Sequence, residues 1–95
     1  MKRRRLIPPL RHWCDRETLL SSIAKSFRSV RARTGISQET LAAYSEVDRT
    51  YVGQIERRIA NPTIVTLDRL LTTLDASWAQ FGAELDAAKA AEGRR

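Results

Sequence analysis

One cysteine, Cys14, and one histidine, His12, stand in 95 residues. A lone cysteine cannot close a disulfide within the chain. Cysteine and histidine together supply only two of the four ligands that a structural zinc ion needs. No metal and no cofactor is expected. The four glycines are scattered, so there is no glycine-rich phosphate loop. The carboxylates are scattered too, with no paired acid–base cluster, and catalysis is not expected. No stretch approaches the roughly 20 apolar residues of a membrane span. The basic start, Met1 to Arg5, is followed at once by Pro8, Pro9, Arg11 and His12. That leaves no apolar run for an export signal. A reducing, cytoplasmic setting is expected. No segment alternates polar and apolar residues with period two, so strands are not expected.

What is present is an ordinary apolar share, 42%, and a net charge of +6. The length suits one small domain. The charge is unevenly spread, at +5 over residues 1–16 and −3 over residues 59–92. One face for a polyanion and another for something else would explain that asymmetry.

Residues 1–14 read as a basic arm, with a charge run, a Pro-Pro pair and no periodicity. From Asp15, a plausible N-cap, Leu19, Leu20, Ile23, Phe27 and Val30 recur at helical spacing. Gly35 ends this helix as a left-handed cap. Ser37 caps a second helix, Gln38 to about Ser45, with Leu41 and Ala42 inward. Asp48 caps a third, Arg49 to about Arg58, with Val52 and Ile55 inward. Asn61-Pro62 breaks the chain. Thr63 caps a fourth helix with Leu67, Leu70, Leu71 and Leu74 inward. Asp75-Ala76 forms a corner, and Ser77 caps a fifth helix to about Ala90. The fold class is all-α, with five short helices.

The link Ser45-Glu46-Val47-Asp48 leaves only a tight turn between the second and third helices. Val47 is its apolar residue. Two short helices so joined cross steeply, in helix-turn-helix geometry. Ala42 is small enough for the third helix to approach closely. Such a unit presents the start of its second helix to the DNA major groove.

From Ile23 to Phe81 the sequence resembles the phage-repressor and Cro-like helix-turn-helix family, the XRE family. Phe27, Val30-Arg31, Gly35-Ile36-Ser37-Gln38 and Leu41-Ala42 carry the resemblance. Val47, Tyr51, Ile55-Glu56, Asn61-Pro62, Leu67, Leu70 and Leu74 complete it. It implies a five-helix lambda-repressor-like DNA-binding domain with the helix-turn-helix at helices 2–3. It also implies a structural ion pair between Arg31 and Glu56. An acid near a phosphate-facing helix end is otherwise unfavourable. Gln38 matches the family's phosphate contact. Arg49, Thr50, Gly53 and Gln54 match its base-reading positions. Arginine can bind guanine with two hydrogen bonds, and glutamine can bind adenine. The threonine methyl can touch a thymine methyl. Gly53 costs roughly 1 kcal/mol of helix propensity relative to alanine. Its bare backbone either allows close approach to DNA or makes no contact at all.

Tyr51, Arg57, Arg58, Asn61 and Thr63 are expected at backbone phosphates, with Arg28 on the first helix a weaker candidate. The family often places glycine after the glutamate, where this chain has Arg57-Arg58. The arm residues Lys2, Arg3, Arg4 and Arg5 suit phosphates or the minor groove. Such a domain gains affinity as a homodimer on a palindrome, and Trp78, Phe81 and Leu85 are the dimer-interface candidates. The expected organisation is an arm over 1–14, a DNA-binding domain over 15–91, and a tail over 92–95. The domain includes the C-terminal helix 77–90, which is open to dimerisation. The expected function is operator-specific transcription regulation, with double-stranded DNA as partner and room for a regulatory protein partner. The competing function is a protein-interaction module of antitoxin or anti-activator type on the same fold.

Overall fold

A computed structural model describes residues 14–93. The arm residues Lys2 to Arg5 lie outside the described residues. Five helices follow one another: α1 (Arg16–Thr34), α2 (Gln38–Ser45), α3 (Arg49–Glu56), α4 (Ile64–Thr73) and α5 (Trp78–Gly93). No strand occurs among the described residues.

Each helix starts on a side chain that accepts an orphan backbone N–H. Asp15 accepts from Thr18, Ser37 from Thr40, Asp48 from Thr50 and Thr63 from Thr66. The Asp15 bond holds that carboxyl below its usual pKa. Its contribution is therefore present at neutral pH and fades as pH falls through the lowered folded-state value. At α5 the Ser77 hydroxyl accepts from the Gln80 N–H at 3.0 Å, and the Gln80 amide oxygen accepts from the Ser77 N–H at 2.7 Å. That is a reciprocal capping box.

The helix ends were less legible. Glycine occupies the left-handed position only after α1, where Gly35 has φ 71°. Glu46, Arg58 and Asp75 adopt the same conformation at φ 59°, 67° and 57°. Each closes a Schellman turn, in which two N–H groups reach back to the last carbonyls. The N–H groups of Glu46 and Val47 bond the carbonyls of Ala43 and Ala42. Those of Arg58 and Ile59 bond Ile55 and Gln54, and those of Asp75 and Ala76 bond Thr72 and Leu71. The left-handed Arg58 also explains why α3 stops at Glu56 rather than near Arg58.

A left-handed non-glycine residue costs about 1–2 kcal/mol. Glycine there relieves that cost but gives back about 0.5–1 kcal/mol through its more disordered unfolded chain. Arg58→Gly is therefore expected to stabilise by about 0.5–1 kcal/mol, measured by urea denaturation. A loss of stability would contradict this reading of the turn.

The core joins all five helices. Phe27 and Val30 of α1 meet Leu41 and Ala42 of α2, Val52 and Ile55 of α3, and Leu67, Leu70 and Leu71 of α4. Ala60, Leu74 and Phe81 complete it. Ala42 is 3% exposed, and its small side chain lets α2 and α3 cross closely. α5 lies along α1. Ser21, Ser22, Ala24 and Ser26 are buried on α1. Ser21 donates to Glu92 at 2.6 Å, and Lys25 pairs with the same carboxylate at 2.9 Å. Arg33 pairs with Glu84. Glu84 and Glu92 thus tie both ends of this stretch of α5 to α1 within the monomer, while Asp86, Ala87, Ala90 and Ala91 between them stay exposed. No helix among the described residues is long and apolar enough to cross a membrane.

Candidate nucleic-acid interface

The α2–α3 corner is held from behind by a buried carboxylate. Glu56 ends α3 with its side chain only 4% exposed. An ionised carboxylate in such a place must be paired and fully hydrogen-bonded. Arg31 supplies two bonds, Nε to Oε2 at 2.6 Å and Nη2 to Oε1 at 2.9 Å. Gln38 supplies a third, Nε2 to Oε1 at 2.9 Å. Arg31 also donates to the Ile36 carbonyl at 2.9 Å. The bonds to Glu56 raise the Arg31 pKa further above its ordinary value, against the opposing effect of burial. One ion pair thus ties α1, the head of α2 and the end of α3 together.

Arg28 lies one turn before Arg31 on α1. The sequence suggested a phosphate contact for it. Its Nη1 donates to the Glu56 carbonyl. A cation there meets the negative end of α3 and satisfies one of its unpaired carbonyls. Arg28 and Arg31 therefore grip the same residue, one by its backbone and one by its side chain.

The front of α3 carries the other candidates. Arg49 and Thr50 are exposed, Gln54 is half-buried, and Tyr51 packs partly against the core. The Arg49 Nε faces the Glu39 carboxylate across the α2–α3 corner at 3.4 Å. Sequence reading passed over Glu39. The only signal was an acid beside Gln38 at the start of α2.

Gly53 was open between close approach to DNA and no contact. Its helical spacing places it toward the groove side, yet it is buried. A Cβ built there would meet the Arg57 Nη1 at 3.2 Å and the Gln38 Oε1 at 3.5 Å. Two long polar side chains cover the bare backbone, so Gly53 offers no surface of its own for reading a base.

Arg57, Arg58 and Asn61 are exposed beyond α3. Thr63 is exposed too, but its hydroxyl oxygen accepts the Thr66 N–H at 3.1 Å as the α4 cap. Of the three dimer candidates, Phe81 is 2% exposed and lies in the core. Leu85 packs against that core. Trp78 alone remains open, at 42% exposure. Its indole donates to Asp68 at 2.7 Å, and its ring meets Phe81 edge-on. The sequence missed the exposed apolar pair Ile64 and Val65, 71% and 67% exposed. No group of three potential metal-ligating side chains gathers among the described residues.

A helix-turn-helix family model matches residues 27–81. Control protein C.SmaI of Serratia marcescens is 42% identical over 55 residues, covering 58% of this chain and 66% of that protein. The chain spans less than two thirds of the length of the curated relatives it matches. A crystal structure of the restriction-modification controller protein C.Esp1396I, a tetramer in complex with its natural 35 base-pair operator, superposes with a TM-score of 0.70. It is 35% identical, covering 75% of this chain and 93% of that one. The controller protein C.AhdI from Aeromonas hydrophila superposes with a TM-score of 0.62 at 39% identity, covering 65% of this chain and 94% of that one. With this match over most of the described helices, and with the α2–α3 corner and its buried Arg31–Glu56 clamp in place, the chain belongs to the phage-repressor and Cro-like, XRE-type helix-turn-helix family.

Proposed function

We propose that this chain is a sequence-specific operator-binding transcription regulator of the restriction-modification controller type, acting in the cytoplasm as a homodimer and without enzymatic activity. The observation that carries the reading is the α2–α3 corner. It leaves Arg49 and Thr50 exposed at the start of an eight-residue helix whose opposite face is buried. A helix so placed fits the major groove, with side chains that match guanine and thymine edges. Arg57, Arg58 and Asn61 continue the surface and suit backbone phosphates, which add affinity without sequence information. Lys2 to Arg5 suit the same role. The similarity to controller proteins, one of them solved on its operator, supports the operator as the target.

The test is an electrophoretic shift with the DNA upstream of the chain's own gene. A shift that survives excess unrelated DNA is expected. No shift at low salt would favour the protein-interaction function instead.

The second copy is expected on the start of α4. Ile64, Val65 and Asp68 share one face of that helix, and Trp78 lies across it through its bond to Asp68. A two-fold interface pairs a surface with itself. An apolar patch bordered by Asp68 and Arg69 is self-complementary in charge. Ile64→Glu with Val65→Lys is expected to convert the dimer to a monomer at tens of micromolar, read by analytical ultracentrifugation. A dimer of unchanged affinity would place the contact elsewhere.

A further inference from the structure

We propose that Gly53 is a positioning residue for the DNA backbone. Its missing side chain lets Arg57 lie back along α3 and hold its guanidinium beside Gln38. The inference rests on the operator-binding reading above and names how one phosphate contact is built.

Residues 53 and 57 are one helical turn apart, and side chains lean toward the helix start, so Arg57 is directed over Gly53. The Arg57 Nη1 and Cζ lie 3.2 and 3.9 Å from the place a Gly53 Cβ would occupy. The Gln38 Oε1 lies 3.5 Å from the same point. Gln38 is itself fixed, because its Nε2 donates to Glu56 at 2.9 Å. That bond turns the amide oxygen toward Gly53 and Arg57. Gly53 is thus covered by the ends of two polar side chains, and the apolar core lies on the other side, at Val52 and Ile55. No packing constraint from the core requires a glycine here, and helix propensity opposes one. Among the described residues no carboxylate pairs with Arg57. An unpaired cation laid along a helix, beside an amide held in place, is already ordered for an anion. A DNA phosphate meeting it needs less ordering on binding.

The test compares the full chain with Gly53→Met, Gly53→Ala, Arg57→Ala and the Gly53→Met/Arg57→Ala double variant. Binding to a fluorescent duplex carrying the upstream DNA is followed by anisotropy across a salt series, with thermal melts in parallel. Gly53→Met is expected to melt at or above the wild-type temperature. It should nevertheless bind about tenfold more weakly for each protomer, as expected for one lost hydrogen bond to a charged group in each. Its log–log salt slope should shrink by about 0.9 per protomer. The double variant should bind no worse than either single one. A merely structural glycine would lower the melting temperature and leave the slope unchanged. Wild-type affinity and slope in Gly53→Met, or fully additive losses in the double variant, would overturn the proposal. If Gly53→Met melts early, Gly53→Ala decides the matter. Its single added carbon presses chiefly on the far end of the Arg57 side chain, so a smaller loss with a reduced slope supports the proposal and an unchanged profile overturns it. A wild-type chain that binds no duplex at low salt overturns the operator-binding reading, and this inference with it.

Discussion

Glu56→Ala is expected to lower stability by about 2–3 kcal/mol. Removing one partner from a fully buried pair costs about 3–5 kcal/mol, because the other charge stays behind unpaired. The Arg31 side chain is 22% exposed, so water relieves part of that cost and the lower figure follows. Arg31 keeps its bond to the Ile36 carbonyl and Arg28 keeps the α3 carbonyl, but the Gln38 amide loses its acceptor. In a domain of this size the loss corresponds to a fall of about 10–20 °C in melting temperature. Glu56→Gln retains an acceptor for Gln38 and one for Arg31, and should fall between. A melt of Glu56→Ala that overlays the wild type would show that the clamp does not hold the reading head.

Arg49→Ala is expected to remove specificity while leaving the fold intact. An arginine that binds guanine with two hydrogen bonds discriminates by about 1–3 kcal/mol. A dimer loses that contact twice, so operator affinity should drop by about 2–6 kcal/mol, roughly 30-fold at the low end. Affinity for unrelated DNA should change little, since it comes from phosphate contacts elsewhere. Equal losses on operator and unrelated DNA would make Arg49 a phosphate contact rather than a reader.

The helices and their starts were legible because each rests on local chemistry. Asp15, Ser37, Asp48, Thr63 and Ser77 are all residues whose short side chains cap a helix better than they continue one. The ends were legible at Gly35, near Ser45 and at the Asp75-Ala76 corner, and missed by two residues at the end of α3. Glu46, Arg58 and Asp75 take the left-handed conformation with no glycine to announce it, held by backbone bonds and tertiary packing. The α1–α5 contact was hidden for another reason. It is built on Ser21, Ser22 and Ser26, whose buried, close-packed role leaves no apolar periodicity. At the candidate site the back was easier to read than the front. The resemblance implied the Arg31–Glu56 pair, and an acid at the end of α3, near phosphates and against the helix dipole, is otherwise unfavourable. The partners of Arg28 and Gly53 were not legible, because helical spacing gives a direction from the axis and not the neighbour found there. Arg28 meets a helix end, and Gly53 is covered by side chains from two helices. Overall basicity was a weaker guide than spacing, since much of the positive charge lies in the basic arm and not in the α2–α3 segment.

The most direct test is selection of bound sequences from a random DNA pool, run in parallel with the wild-type chain and Arg49→Ala. The wild type should enrich a palindrome whose half-sites are centred about one helical turn, roughly 34 Å, apart. It should contain a guanine whose enrichment disappears with Arg49→Ala. A pool that shows no enrichment, or the same palindrome recovered by both proteins, would contradict the assignment of α3 as the reading helix.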